Sequence, residues 1–178
     1  RQDEFRGNKY PRVCDLRYVK ILYAFTKMLD DTRPCVDSSG GYHTGETDLY
    51  DFHTYDGIEK AEKYLSAFES EGKLVMPLLM PEKAECRAAA YRPGQPVMAS
   101  EYGGIAYDPE ASGWGYAAAA TPKELAGKAA ELSRAYMNCP KLSGMCYTQL
   151  YDVEQEKNGL YYYDRTPKMN ESEAEILR

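Results

Sequence analysis

The sequence is short of several things, and each shortage removes a class of function. No apolar run approaches the roughly 20 residues a membrane-crossing helix needs, so no membrane partner is expected. There is no G-x-G-x-x-G and no G-x-x-x-x-G-K-[ST], which leaves a nucleotide-binding reading without its phosphate cradle. Lys and Arg number 22 against 28 Asp and Glu, and no basic stripe stands out. A grip on nucleic acid needs clustered cations to neutralise phosphates, so none is expected. The five cysteines are odd in number and contain no C-x-x-C pair, which argues against a disulfide framework or a zinc site. They read as scattered buried thiols in a reducing compartment and favour the cytoplasm. The first six residues are charged, with no apolar stretch of a secretory leader, although in a piece of a longer protein this says little. The two histidines and the carboxylates show no metal-ligand spacing, and no cofactor is expected.

What is abundant is tyrosine: 17, against 4 Phe and 1 Trp. A tyrosine offers a flat apolar face and a hydroxyl, which suits a sugar ring; it also suits any half-buried position. The length fits one domain with a sizeable core.

Hydrophobic periodicity predicts a helix over residues 16–29 and a short strand over 35–39. A strand follows over 49–55, then a helix from Ile58 to Glu71 stopped by Gly72. Residues 73–96 are irregular and read as an insertion. Pro96 to Ser100 is an apolar strand running into Glu101-Tyr102-Gly103-Gly104, followed by a Gly- and Tyr-rich loop. Thr121-Pro122-Lys123-Glu124 is a strong helix start, with Thr as cap, Pro in the first position and Glu in the third. Residues 144–150 form another strand, and a last helix begins near Asn170. Strands alternating with helices imply an α/β fold with a parallel sheet. Four strands are too few for a closed barrel of eight. The expected unit is a single domain over residues 1–178, belonging to something larger.

In parallel α/β folds the ligand meets the C-terminal ends of the strands. Those ends carry Asp37 and Ser38, then His53 and Tyr55, then Glu101 and Tyr102, then Gln149 and Asp152. Glu101 is the sharpest candidate. It directly follows an apolar strand and is flanked by Tyr102, whose hydroxyl is placed to orient it, and by two glycines that let the backbone turn away. A glycosidase nucleophile needs such a rigid carboxylate on one face of the sugar; the alternative is a carboxylate paired with a basic neighbour.

Ser100-Glu101-Tyr102-Gly103-Gly104 after Pro96-Val97-Met98 resembles the nucleophile strand of glycoside hydrolase family 2, the β-galactosidase and β-glucuronidase group. Asp31-Thr32-Arg33-Pro34 with Asp37-Ser38-Ser39-Gly40 resembles that family's approach to strand five, and Asp48 to Tyr55 its strand six. Tyr147-Thr148-Gln149-Leu150, Asp152-Val153-Glu154, Asn158-Gly159-Leu160 and Asp164-Arg165-Thr166-Pro167-Lys168 resemble strand eight and the entry to the last helix. The resemblance implies a partial (β/α)8 TIM barrel, roughly strands five to eight with their helices, from a retaining enzyme acting on β-linked sugars. It implies Glu101 as nucleophile and Tyr55 as the residue that orients it. His53, Gln149 and Asp152 would line the pocket with Asp37 and Tyr102, and Trp114 would stack on a sugar face. His53 has a second reading as a core histidine held by a backbone carbonyl, and Trp114 as a loop anchor. His43, in a Gly-flanked loop, is expected to be exposed.

The family's acid/base, a Glu preceded by Asn at the end of strand four, has no counterpart here: the only Asn-Glu pair, Asn170-Glu171, opens the last helix. Asp152, Glu154 and Glu46 are the conceivable substitutes. By itself the chain is therefore expected to be inactive. The rival reading is a non-catalytic carbohydrate-binding or assembly module, and a half-barrel's open edges would favour a homo-oligomer. No basic residue stands clearly near the strand ends, which disfavours a uronic acid.

Overall fold

The computed structural model describes residues 16–40, 43–72, 74 and 91–178. The expectations for residues 1–15 and for most of the insertion over 73–96 lie outside the described residues. Helix α1 spans Leu16–Leu29, strand β1 Tyr50–Thr54, helix α2 Ile58–Glu71 and strand β2 Val97–Gly103. Two short strands follow, β3 (Ile105–Ala106) and β4 (Ala117–Ala118), then helix α3 (Pro122–Met137), strand β5 (Leu142–Thr148) and helix α4 (Glu171–Ala174), which runs into a 3-10 turn, Glu175–Leu177.

The helix ends follow from local chemistry. Gly72 takes φ 67°, a left-handed conformation open to glycine at little cost, and its N–H closes α2 on the Phe68 carbonyl at 3.0 Å. At the start of α3 the Thr121 hydroxyl accepts from the Glu124 N–H at 3.1 Å, while the Glu124 carboxylate accepts from the Ala120 N–H at 2.8 Å. Asn170 and Glu173 form a capping box at α4.

Strands β1, β2 and β5 make a three-stranded parallel sheet with β2 in the centre. Phe52, Val97, Ala99 and Tyr102 pack beneath α2 and α3, which contribute Tyr64, Leu65, Phe68, Leu125, Ala129, Leu132 and Tyr136. A fully buried Phe68 is worth about 1.5–3 kcal/mol relative to exposure. Three tyrosines and a threonine hold the helices to the sheet: Thr54 Oγ1 to Tyr64 Oη at 2.9 Å, Tyr64 to Tyr136 at 3.0 Å, and Tyr102 packed on the Tyr136 ring. The helix α1 is amphipathic as expected, but its apolar residues are not covered: Tyr18, Ile21, Leu22, Phe25, Met28 and Leu29 are all exposed.

Two expectations are corrected. Residues 35–39 join no ladder. Their backbone is captured by side chains instead: Cys35 N–H by the Asp48 carboxylate at 2.8 Å and Asp37 N–H by Thr47 Oγ1 at 3.3 Å. The loop after Gly104 is not wholly irregular, since Ile105 and Ala106 pair in parallel with Ala117 and Ala118. That pairing pins the loop beside the end of β2.

Candidate active site

Between β1 and β2 the register slips: Phe52 lies opposite Ala99, but His53 lies opposite Glu101. Ser100 is the extra residue. A bulge of this kind re-aims side chains locally. Here it sets Glu101 level with His53 and drops the Ser100 hydroxyl onto the Asp51 carboxylate, to which it donates. The Glu101 side chain keeps 39% of its surface exposed at the C-terminal end of the central strand.

One oxygen of Glu101 is bonded from one side and approached from another. The Tyr55 hydroxyl donates to Oε2, and His53 Nδ1 lies 3.2 Å from the same oxygen. Burial, with the adjacent Glu101 carboxylate, pushes the Tyr55 phenol far above its ordinary pKa, so it stays protonated and remains a donor. The Tyr55 ring is fixed in turn by Tyr116, whose ring edge meets Trp114 at 5.5 Å. Behind His53 a polar chain runs into the protein. His53 Nε2 is 2.9 Å from Ser39 Oγ, and Ser39 donates to Asp51 Oδ2 at 3.2 Å. Asp51 lies against His43, whose other ring nitrogen is 2.7 Å from Asp37 Oδ1.

His43 is fully buried, not exposed as its Gly-flanked position suggested. Burial alone would pull its pKa down. The Asp51 carboxylate, with the hydrogen bonds to the Asp51 carbonyl and to Asp37, outweighs this and raises it to about 9. Burial pushes Asp37 and Asp51 up, but the adjacent His43 and neighbouring donors win and lower both. The His43 Nε2 proton is aimed at the Asp51 carbonyl at 2.7 Å, which leaves Oδ1, at 3.1 Å, with the ion pair but no aligned hydrogen bond.

No family model and no curated protein matches the chain. The chain is similar in fold to part of several β-glucuronidases. It aligns with the Faecalibacterium prausnitzii β-glucuronidase at 19% identity and a TM-score of 0.54, over 91% of this chain and 27% of that one. The Bifidobacterium dentium β-glucuronidase complexed with coumarin-3-O-glucuronide gives 20% and 0.56, over 90% and 26%. Bacteroides uniformis β-glucuronidase 2, covalently bound to cyclophellitol-6-carboxylate aziridine, gives 18% and 0.55, over 85% and 18%. The chain thus spans little more than a quarter, or less, of these structures, and at this identity the likeness is one of fold.

The other expected site residues are placed differently. Strand alternation turns Tyr102 away from Glu101 and into the core, where it is bonded to Ser133 Oγ at 2.8 Å; the hydroxyl that reaches Glu101 is that of Tyr55. Asp37 has both oxygens engaged, by His43 and by the Thr44 N–H at 2.6 Å, and its side chain is wholly buried. Asp152 is buried against Lys168 at 2.7 Å and accepts from the Gly159 N–H. Neither is presented to a ligand. Gln149 is half-buried, and among the described residues its buried Nε2 has no hydrogen-bond partner. Trp114 is both anchored and accessible: its backbone bonds Gln155 and Lys157, and its residue is 38% exposed. Of the conceivable acid substitutes, Asp152 is spent on Lys168, Glu46 pairs with Lys20 at 3.1 Å, and Glu154 lies in a turn with φ 49°. Sequence reasoning missed Ser39, as the link behind His53, and Glu156, whose Oε1 accepts from Asn158 Nδ2 at 2.9 Å beside the Trp114 loop. The only signal for Glu156 was the Asn two residues on.

Among the described residues, no helix is long and apolar enough to cross a membrane, and no group of three His, Cys, Asp or Glu is placed to hold a metal ion. Recesses lined by Lys27, Asp48 and Pro96, and by Tyr91, Gln95 and Lys141, gather at the N-terminal end of the strands, opposite Glu101.

Proposed function

We propose that this chain is the nucleophile-bearing part of a (β/α)8 barrel in a retaining β-glycoside hydrolase of family 2 type, corresponding to roughly strands five to eight. The observation that carries the reading is the convergence of Tyr55 and His53, from the end of β1, on one oxygen of Glu101, at the end of β2. A carboxylate fixed in this way at a strand C-terminus, and still open to solvent, suits attack on an anomeric carbon. The fold likeness includes a β-glucuronidase that carries a covalently bound aziridine, and it supports the same chemistry here.

In the first step Glu101 bonds to the anomeric carbon as the glycosidic C–O bond breaks, and the leaving oxygen takes a proton from a second carboxyl. Water then attacks the same carbon, returns a proton to that carboxyl and frees Glu101 as a carboxylate. The two carboxyls of such an enzyme stand about 5–5.5 Å apart. The second is proposed to come from a longer form of the chain, and these residues alone are expected to turn over little substrate. The assembly reading has one observation in its favour, the uncovered apolar face of α1; a monodisperse monomer by light scattering would count against it.

The test uses dinitrophenyl 2-deoxy-2-fluoro-β-glycosides, whose leaving group departs without acid assistance, and intact-mass spectrometry. The expected result is a covalent adduct mapping to Glu101 and absent in Glu101→Gln. No adduct from any sugar, with the protein folded, would overturn the nucleophile assignment.

A further inference from the structure

The segment after β5 doubles back against the loop that carries Trp114. Trp114 N–H bonds the Gln155 carbonyl at 2.8 Å, and Lys157 N–H bonds the Trp114 carbonyl at 2.9 Å, so Glu156 lies directly beside Trp114. Trp114 meets Tyr116, Tyr116 stacks on Tyr55, and Tyr55 holds Glu101. Glu156 and Asn158 share one face of this segment, as their mutual hydrogen bond shows. Lys157, between them, turns the other way: its side chain runs past Gly113, and its charge is felt at Asp108. Glu156 is thus the charged group that this segment brings to the Glu101 end of the sheet. Burial raises its pKa above the ordinary carboxyl range; the Asn158 hydrogen bond opposes this, and the negative charge of Glu101 adds to it.

The nearby cations are committed elsewhere. Lys168 is buried on Asp152, and Arg165 lies over the Tyr151 ring. Among the described residues, no Lys or Arg pairs with Glu101 or Glu156. A sugar seated on Glu101 would therefore meet a second carboxylate where a substrate carboxylate would need a cation.

Resting on the function proposed above, we propose that Glu156 is the specificity-determining residue of this site: it accepts hydrogen bonds from the hydroxyls of an uncharged β-glycoside and excludes a uronic acid. The fold likeness to β-glucuronidases does not extend to their substrate. The two properties have one cause, because the acceptor that suits a hydroxyl repels a carboxylate.

The experiment measures the rate at which Glu101 is labelled in the full-length protein by three probes, the dinitrophenyl 2-deoxy-2-fluoro-β-galactoside, -glucoside and -glucuronide. At least one uncharged probe should label about 100-fold faster than the glucuronide, the scale of a like-charge penalty. Glu156→Gln keeps the oxygen that accepts from Asn158 and removes only the charge, and should narrow that ratio about tenfold or more. Glu156→Asp, which keeps the charge, should preserve the selectivity. Glucuronide labelling as fast as the uncharged probes, or an unchanged ratio in Glu156→Gln, overturns the role of Glu156 while leaving Glu101 as nucleophile. Labelling by none of the probes overturns both readings.

Discussion

The phenol ring of Tyr55 lies flat on that of Tyr116, with 3.7 Å between centroids and 3° between planes. The stack joins the end of β1 to the loop before β4, and the Tyr55 hydroxyl donates to Glu101. Tyr55→Phe keeps the stack and deletes the donor. A hydrogen bond to a charged group is worth about 1.5–3 kcal/mol, so labelling of Glu101 by fluorosugars should slow by about 10- to 100-fold. The thermal midpoint should hardly move. An unchanged labelling rate would show that the hydroxyl does not orient the nucleophile.

Gly104 makes that stack possible. It sits at φ +64°, and a Cβ there would fall 2.6 Å from Tyr55 Cδ1 and 2.7 Å from Tyr116 Cδ2. Gly104→Ala therefore combines overpacking, about 1–3 kcal/mol, with a left-handed alanine, about 1–2 kcal/mol. Stability in urea and the rate of labelling should fall together. Gly127, inside α3, meets nothing within 4 Å. Gly127→Ala should instead stabilise by about 0.4–1 kcal/mol without touching labelling, which separates a local effect at Gly104 from a general intolerance of alanine.

The strands β1, β2 and β5 and the helices α1 to α3 were legible because period and capping are local: Thr121 and Glu124 reveal a helix start wherever it sits. Glu101 was legible for the same reason, as a carboxylate ending an apolar run. What was not legible is pairing across sequence distance. Asp37 and Asp152 read as ligand-facing because they end strands, and only the fold brings His43 to one and Lys168 to the other. The same holds for residues 35–39, whose extended pattern is satisfied by Asp48 and Thr47 and not by a neighbouring strand.

Lys168 tests the structural role of Asp152. Its ammonium is buried, lies 2.7 Å from Asp152 and donates to the Tyr107 and Lys157 carbonyls. Lys168→Met would strand a buried carboxylate, at about 3–5 kcal/mol, read as a fall in the urea midpoint. The double variant Asp152→Asn with Lys168→Met keeps an acceptor for the Gly159 N–H and should recover part of that loss. If Asp152 served the sugar instead, Asp152→Asn alone would alter labelling while leaving the midpoint in place.

His43 predicts a pH dependence with a definite sign. Its pKa rises from the ordinary 6.5 to about 9 in the folded protein. The folded state therefore binds more protons than the unfolded state between those values, and stability must fall as pH rises through them. The contribution is fully present below about pH 6.5 and gone above about pH 9. At about 1.4 kcal/mol per pH unit it amounts to about 3 kcal/mol at most. Asp37 and Asp51 are lowered, so their contribution has the opposite sense: present above the ordinary 3.8 and lost as pH falls below it. The urea midpoint should accordingly peak in mildly acidic solution and decline on the alkaline side. His43→Gln should lower the peak and flatten the alkaline limb between about pH 6 and 9. An alkaline limb of the same slope in the variant would mean that some other group carries it, and that the imidazole between Asp37 and Asp51 is not the charge that ties residues 37–51 together.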